Sequence, residues 1–272
     1  MWRRSREPAS RRPSLDDAVR LTKDTATALS RVTGEPYGER ARSELEVGEQ
    51  QSEEGLGNPA AYAHLVIDSY AQATGDLLHG AAEISRGRHN LAFSSAAVAR
   101  SAGEYAGIGW WLADPVISAD TRIVRTAGIL VGSVTAARGL LVPEDFAHYE
   151  NDNKQRLEWA KRRQRKKERL PDKTDRFIEM NPKEGKRHYN YFSLLAHGDL
   201  DMTVGIVQAK ISGSGELRDE PVWRLLFASG YGLTLAARIS ELRERPSDHP
   251  ALYARLMDYA SRLEDQDDEP VQ

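Results

Sequence analysis

The chain of 272 residues contains no cysteine, which excludes disulfides, thiolate zinc sites, iron–sulfur clusters and cysteine nucleophiles, and leaves only oxygen and nitrogen ligands for a metal. Long apolar runs are missing as well. No unbroken stretch reaches the roughly 18 to 20 residues of a membrane helix, and the mean hydropathy is −0.60, so the expectation is a soluble chain with no membrane partner. The first residues, MWRRSREPASRRPS, lead into no apolar core of a signal peptide, so a cytoplasmic location is expected. The seven histidines form neither H-E-x-x-H nor E-x-x-H; His79, Glu83 and His89 are the nearest approach to a ligand set, and no metal or cofactor is assigned. The only Gly-Ser-Gly, residues 213 to 215, lacks the lysine and hydroxyl of a phosphate-cradling loop.

A net charge of −3 conceals blocks of opposite sign. Residues 1 to 13 hold Arg3, Arg4, Arg6, Arg11 and Arg12 against Glu7 alone and read as a flexible basic arm. Residues 39 to 54 hold six glutamates against Arg40 and Arg42, then turn-rich EGLGNP, and read as a linker. From Lys154 to Arg169 nine basic residues face only Glu158 and Glu168. That run predicts an exposed helix offering Lys161, Arg162, Arg163, Arg165, Lys166 and Lys167 to a phosphate backbone, with Trp159 as a base-stacking platform. A solvated helix face, or pairing with the acidic segments, would use the same charges.

Helical periodicity organises the rest. A helix is expected over Leu15 to Val32. Tyr62, Val66, Tyr70, Ala73, Leu77, Ala81 and Ile84 step by three and four, which predicts a helix from about Ala60 to Ser85. Asn90 to Ala113 is small and apolar on every face, the composition of a central buried helix that Asp114-Pro115 stops. Ser118 is the expected N-cap of a third helix with Ile123, Ala127, Leu130, Val134 and Ala137 as its stripe. RHYNYFSLLAHGDL predicts a helix closed by His197-Gly198, and two helices follow over Pro221 to Arg243 and Pro250 to Leu263. Ile206 to Glu216 reads as a loop or short hairpin, so the fold class is an all-α multi-helix bundle with a basic arm and one hairpin or loop near 203–216. The expected division is 1–57 for arm, first helix and acidic linker, 58–264 for the bundle, and 265–272 for an acidic tail.

Two polar constellations stand out. Arg100 and Glu104, four apart on the most buried helix, must find partners, because an unpaired buried charge costs several kcal/mol. They are either a structural ion-pair network or, with Arg122 and Arg125, a clamp for phosphate or carboxylate. Asn190, Ser193 and His197 share a helix face beside Tyr191 and Arg187. The imidazole there is either a helix-end cap or a general acid or base.

The segments ARSAGEYAGIGWWLADP, TRIVR and YFSLLAHGDL together resemble a set of mostly actinobacterial all-helical proteins similar to the HEPN superfamily and its abortive-infection branch. The resemblance covers about a third of the chain. It implies a helical bundle, a homodimer or another protein partner, and a helix ending in histidine that faces a cleft. In active members, an Arg-x(4–6)-His motif cleaves RNA without a metal. Here the residues five to seven before His197 are Phe192, Tyr191 and Asn190, so the arginine of that motif is absent, and Arg187 stands ten before.

The expected function is therefore a HEPN-like protein that binds RNA in a stress or defence role, with catalysis left open. Should it cleave, His197 would be the acid or base, Arg187 or Arg100 would stabilise the phosphorane, and Tyr191, Asn190 and Ser193 would orient the substrate, with Glu104 at the same site. The alternative is a small-molecule site inside the bundle, against Trp110, Trp111, Arg100, Glu104, Arg122 and His197.

Overall fold

The computed structural model describes residues 11–34, 37–52, 57–87, 92–164, 172–197, 199–212 and 219–267. These residues form twelve helices and no strand, an all-α bundle.

The first helix, α1 (Leu15–Val32), opens on a reciprocal cap. The Asp17 backbone N–H donates to Ser14 Oγ at 3.2 Å, and the Ser14 N–H donates to the Asp17 carboxylate at 2.9 Å. Those bonds from Ser14 hold the Asp17 carboxyl below its ordinary range. Leu21, Leu29 and Val32 are buried against α3 (Pro59–Arg86) and α11 (Glu220–Arg243), so α1 belongs to the core. The end of the basic arm is tied down as well, through ion pairs from Arg11 to Asp17 and from Arg12 to Asp219.

The acidic stretch is not a linker. Residues Glu39–Glu49 form α2, with Ala41, Glu44 and Gly48 turned inward. Most of its glutamates do point to solvent, which is why composition alone misreads it.

At the centre is α4 (Ala92–Leu112), packed against α3, α11, α8 (Lys173–Met180) and α9 (Gly185–Ala196). Small residues make this possible. A Cβ on Gly103 would run into the Phe177 ring of α8, and one on Gly109 would come within 3.1 Å of Leu235 and 3.2 Å of Tyr70.

The expected N-cap of α5 (Ala119–Leu140) is found: Ser118 Oγ accepts from the Thr121 N–H at 3.2 Å. By length and composition α5 is the one described helix apolar enough to cross a bilayer, yet its first half is committed to the core by Ile123, Val124 and Ala127. The described part of the basic run forms one helix, α7 (Lys154–Gln164), preceded by the short acidic helix α6 (Pro143–Asp152). Asn153 breaks them, leaving helical backbone while its Nδ2 donates to the Tyr149 carbonyl at 2.8 Å.

The hairpin expectation fails where it can be seen. Leu200–Ser212 is a helix, α10, started by the Thr203 N–H donating to the Asp199 carbonyl at 2.8 Å, and it seats Ile206 in the core. The β-branched residues that suggested a strand are a weak prior, and burial of one apolar position on a helix overrides it. Residues 213 to 218 lie outside the described residues. The chain finishes with α12 (His249–Asp267) against α11 and α1.

Candidate functional site

Arg100 projects from the middle of α4 toward α9, and three of its nitrogens are engaged. Nε donates to Glu104 Oε1 at 2.9 Å, Nη1 lies 2.9 Å from His197 Nε2, and Nη2 donates to Tyr189 Oη at 3.0 Å. A guanidinium has donors only, so His197 Nε2 is the acceptor and the ring proton of a neutral imidazole sits on Nδ1. The Tyr189 ring also lies against the guanidinium, 5.0 Å from centroid to carbon, and is itself backed edge-on by Phe177. The Arg100 and Glu104 side chains keep 16% and 18% of their surface, whereas His197 is exposed. The result is a cation held on three nitrogens beside an exposed imidazole.

His197 is the C-cap of α9, its backbone N–H donating to the Ser193 carbonyl at 2.9 Å. The backbone closes the helix while the ring meets Arg100.

Of the residues singled out in the sequence, Arg100, Glu104 and His197 come together. Others do not. Arg187 keeps 85% of its side-chain surface and pairs with Glu184 at 3.8 Å, so Arg100 is the arginine beside the histidine. Asn190 is exposed, Ser193 Oγ is buried with no hydrogen-bond partner among the described residues, and Tyr191 donates to Glu220, its phenol pushed up by burial. Tyr189 was missed. Its only signal was its position two helical turns before His197 on the same helix.

Arg122, Arg125, Trp110 and Trp111 form a separate group at the end of α4, ten or more residues and about 15 Å of helix from Arg100. There the arginines close the helix. Arg122 donates to the carbonyls of Leu112 and, at 2.9 Å, of Asp114, while Arg125 donates to the Trp111 carbonyl at 2.7 Å and lies 4.4 Å from its ring centre. Cations at a helix C-terminus satisfy carbonyls that have no partner within the helix. Arg238 stacks on Trp110 at 4.9 Å and pairs with Asp114 at 3.2 Å. A single interior ligand touching both groups, the small-molecule alternative, does not fit this separation. The two clefts described, by Arg31 and Asp248 and by Tyr62 and Arg156, involve neither group.

Sequence reasoning also missed the partner of Arg122. Glu44 accepts from Arg122 Nε at 2.8 Å and Nη2 at 2.9 Å, and from His64 Nε2 at 3.2 Å, all three side chains being buried. Burial alone would raise the Glu44 carboxyl, but the bonds from His64 and Arg122 prevail and leave it at about 2. His188, next to the site residues in sequence, points the other way, into the core. It stacks on Phe227 at 3.9 Å, and burial lowers its imidazole to about 4.

On α7, Lys154, Arg156, Lys161 and Arg162 are exposed, while Leu157, Trp159 and Ala160 are buried against α5 and α3. Trp159 is thus a core residue and cannot stack a base. Arg163 belongs to α7, and Arg165, Lys166 and Lys167 lie outside the described residues. This helix packs on α5 and α6, whereas the His197 cluster stands on α4 and α9. Among the described residues no group of His, Asp and Glu has the arrangement of a metal site. Compared with family models, with curated proteins and with solved structures, the chain finds no match.

Proposed function

We propose that the protein is a HEPN-like RNA-binding protein of a stress or defence system, and that the Arg100–His197 cluster acts on the phosphodiester. The observation that carries the reading is the 2.9 Å approach of Arg100 Nη1 to His197 Nε2 with Glu104 behind the guanidinium. Cleavage of RNA without a metal needs a group that moves a proton and a cation where charge develops on the phosphorane. His197 supplies the first at the surface, and Arg100 supplies the second. The arginine missing from the helix of His197 is thereby replaced from α4, so the pair of groups is retained while the motif is not.

Exposed Lys154, Arg156, Lys161 and Arg162 support a role for α7 in holding phosphates away from the cluster. The test is binding of the purified protein to single-stranded and structured RNA at two salt concentrations, with cleavage followed on gels. Salt-sensitive binding that weakens in Lys161→Gln/Arg162→Gln, with products abolished in His197→Ala, is the expected result. Absence of binding at low salt overturns the reading.

A further inference from the structure

The groups of this site are occupied by one another. His197 Nε2, the nitrogen that would move a proton, accepts from Arg100 Nη1 at 2.9 Å, and Arg100 Nη2 is taken by Tyr189 Oη at 3.0 Å. The imidazole can accept nothing further at Nε2, and two of the five guanidinium N–H groups remain uncommitted.

We propose that the cluster is closed by its own arginine and that a phosphate-type oxyanion opens it, taking the Nη groups of Arg100 and releasing His197 Nε2. The inference rests on the reading of the cluster as a phosphodiester site. Three features of the geometry favour an exchange over a simple addition. The first is strength, because a guanidinium–oxyanion pair is charged on both sides and bidentate, whereas a guanidinium–imidazole bond is charged on one side only. The second is the difference in freedom. Glu104 and the Tyr189 ring fix the arginine from two directions, while exposed His197 is held by its backbone through Ser193 and by its ring through Arg100, so the ring can leave by side-chain rotation once that bond is exchanged. The third is the choice of atom: Glu104 engages Nε and leaves both Nη groups to the ligand, so the arginine stays oriented when His197 departs.

The released imidazole then lies beside an anion instead of a cation, with Nε2 open to the ligand. The charged groups that meet the ring or its partner are Arg100 and Glu104 of α4, with the Tyr189 phenol from α9. The ligand thus frees the nitrogen of the residue that works on it, which the contact with Arg100 otherwise occupies.

The test uses the full chain labelled with ¹⁵N, inorganic phosphate as the probe, and sodium chloride at matched ionic strength as the control. His197 is assigned by the signal that disappears in His197→Gln. Without phosphate the ring is expected as the Nδ1–H form with Nε2 hydrogen-bonded. Saturating phosphate is expected to remove the hydrogen bond at Nε2 and shift its resonance together with that of the Arg100 guanidinium, leaving buried His64 and His188 unchanged. Movement of Arg100 without His197 would overturn the exchange while leaving the site as a phosphate binder. Movement of neither would overturn both the exchange and the reading beneath it.

Discussion

Glu44 and Arg122, 78 residues apart, are joined by two hydrogen bonds of 2.8 and 2.9 Å with both side chains buried. The pair locks α2 onto α5 and, through the carbonyls of Leu112 and Asp114, onto the end of α4. Breaking one half leaves the other charge stranded. Arg122→Ala is expected to cost about 3–5 kcal/mol in urea unfolding, and the double variant with Glu44→Gln to cost less than the sum of the two singles. Additive effects would mean that the two groups do not depend on each other.

The close passage of α8 over α4 depends on a residue without a side chain. Because a Cβ on Gly103 meets the Phe177 ring, Gly103→Ala should destabilise the protein by about 1–3 kcal/mol despite its better helix propensity. Phe177→Leu in the same chain should recover part of the loss. A Gly103→Ala variant with raised Tm would contradict the packing.

Acid should weaken the fold in two stages. His188 has an ordinary value of 6.5 and a folded one of about 4, so between those pH values the unfolded chain binds more protons and stability falls as pH falls. The loss amounts to about 3 kcal/mol, complete near pH 4. Glu44 is depressed from 4.5 to about 2, and its contribution, present above pH 4.5, disappears as pH falls through that lower window. Denaturant unfolding at stepped pH checks both, and His188→Phe should flatten the upper stage only. An unchanged slope between pH 6.5 and 4 in that variant would remove His188 as its cause.

Trp159 separates the two faces of α7. As a buried residue on α5 and α3, Trp159→Ala is expected to cost about 3–5 kcal/mol and to leave RNA affinity of the folded protein unchanged. Lys161→Gln/Arg162→Gln should do the reverse, lowering affinity and the salt slope with stability intact. Loss of affinity in Trp159→Ala at a temperature where it is folded would restore the stacking role.

What could be read in advance follows physical lines. The helix α3 and the capped start of α5 were legible because periodicity and the N-cap residue Ser118 are local signals, whereas the caps at Ser14 and Asn58 emerge from the structure. The glutamates of α2 concealed a helix because only Ala41, Glu44 and Gly48 face inward, too few positions to make a pattern. Arg100, Glu104 and His197 could be picked out individually, since charge on a buried helix and a histidine at a helix end are each unusual. Their meeting is among the expectations, but the sequence leaves the choice of Arg100 over Arg187 open, because it depends on how α9 lies across α4. Arg122 had the same signature as Arg100 and turned out to close a helix, which shows that buried charge identifies where partners are needed and says nothing of their purpose.

The central claim is that Arg100 and His197 form one working unit on RNA. Its most direct measurement is the rate of RNA cleavage by wild type, His197→Ala, Arg100→Gln and the double variant, with folding checked by Tm. The account predicts that each single substitution removes about 10²–10⁴-fold of the rate and that the double variant is no slower than the worse single one. Cleavage that persists undiminished in well-folded His197→Ala, or no RNA binding by wild type at low salt, would contradict it.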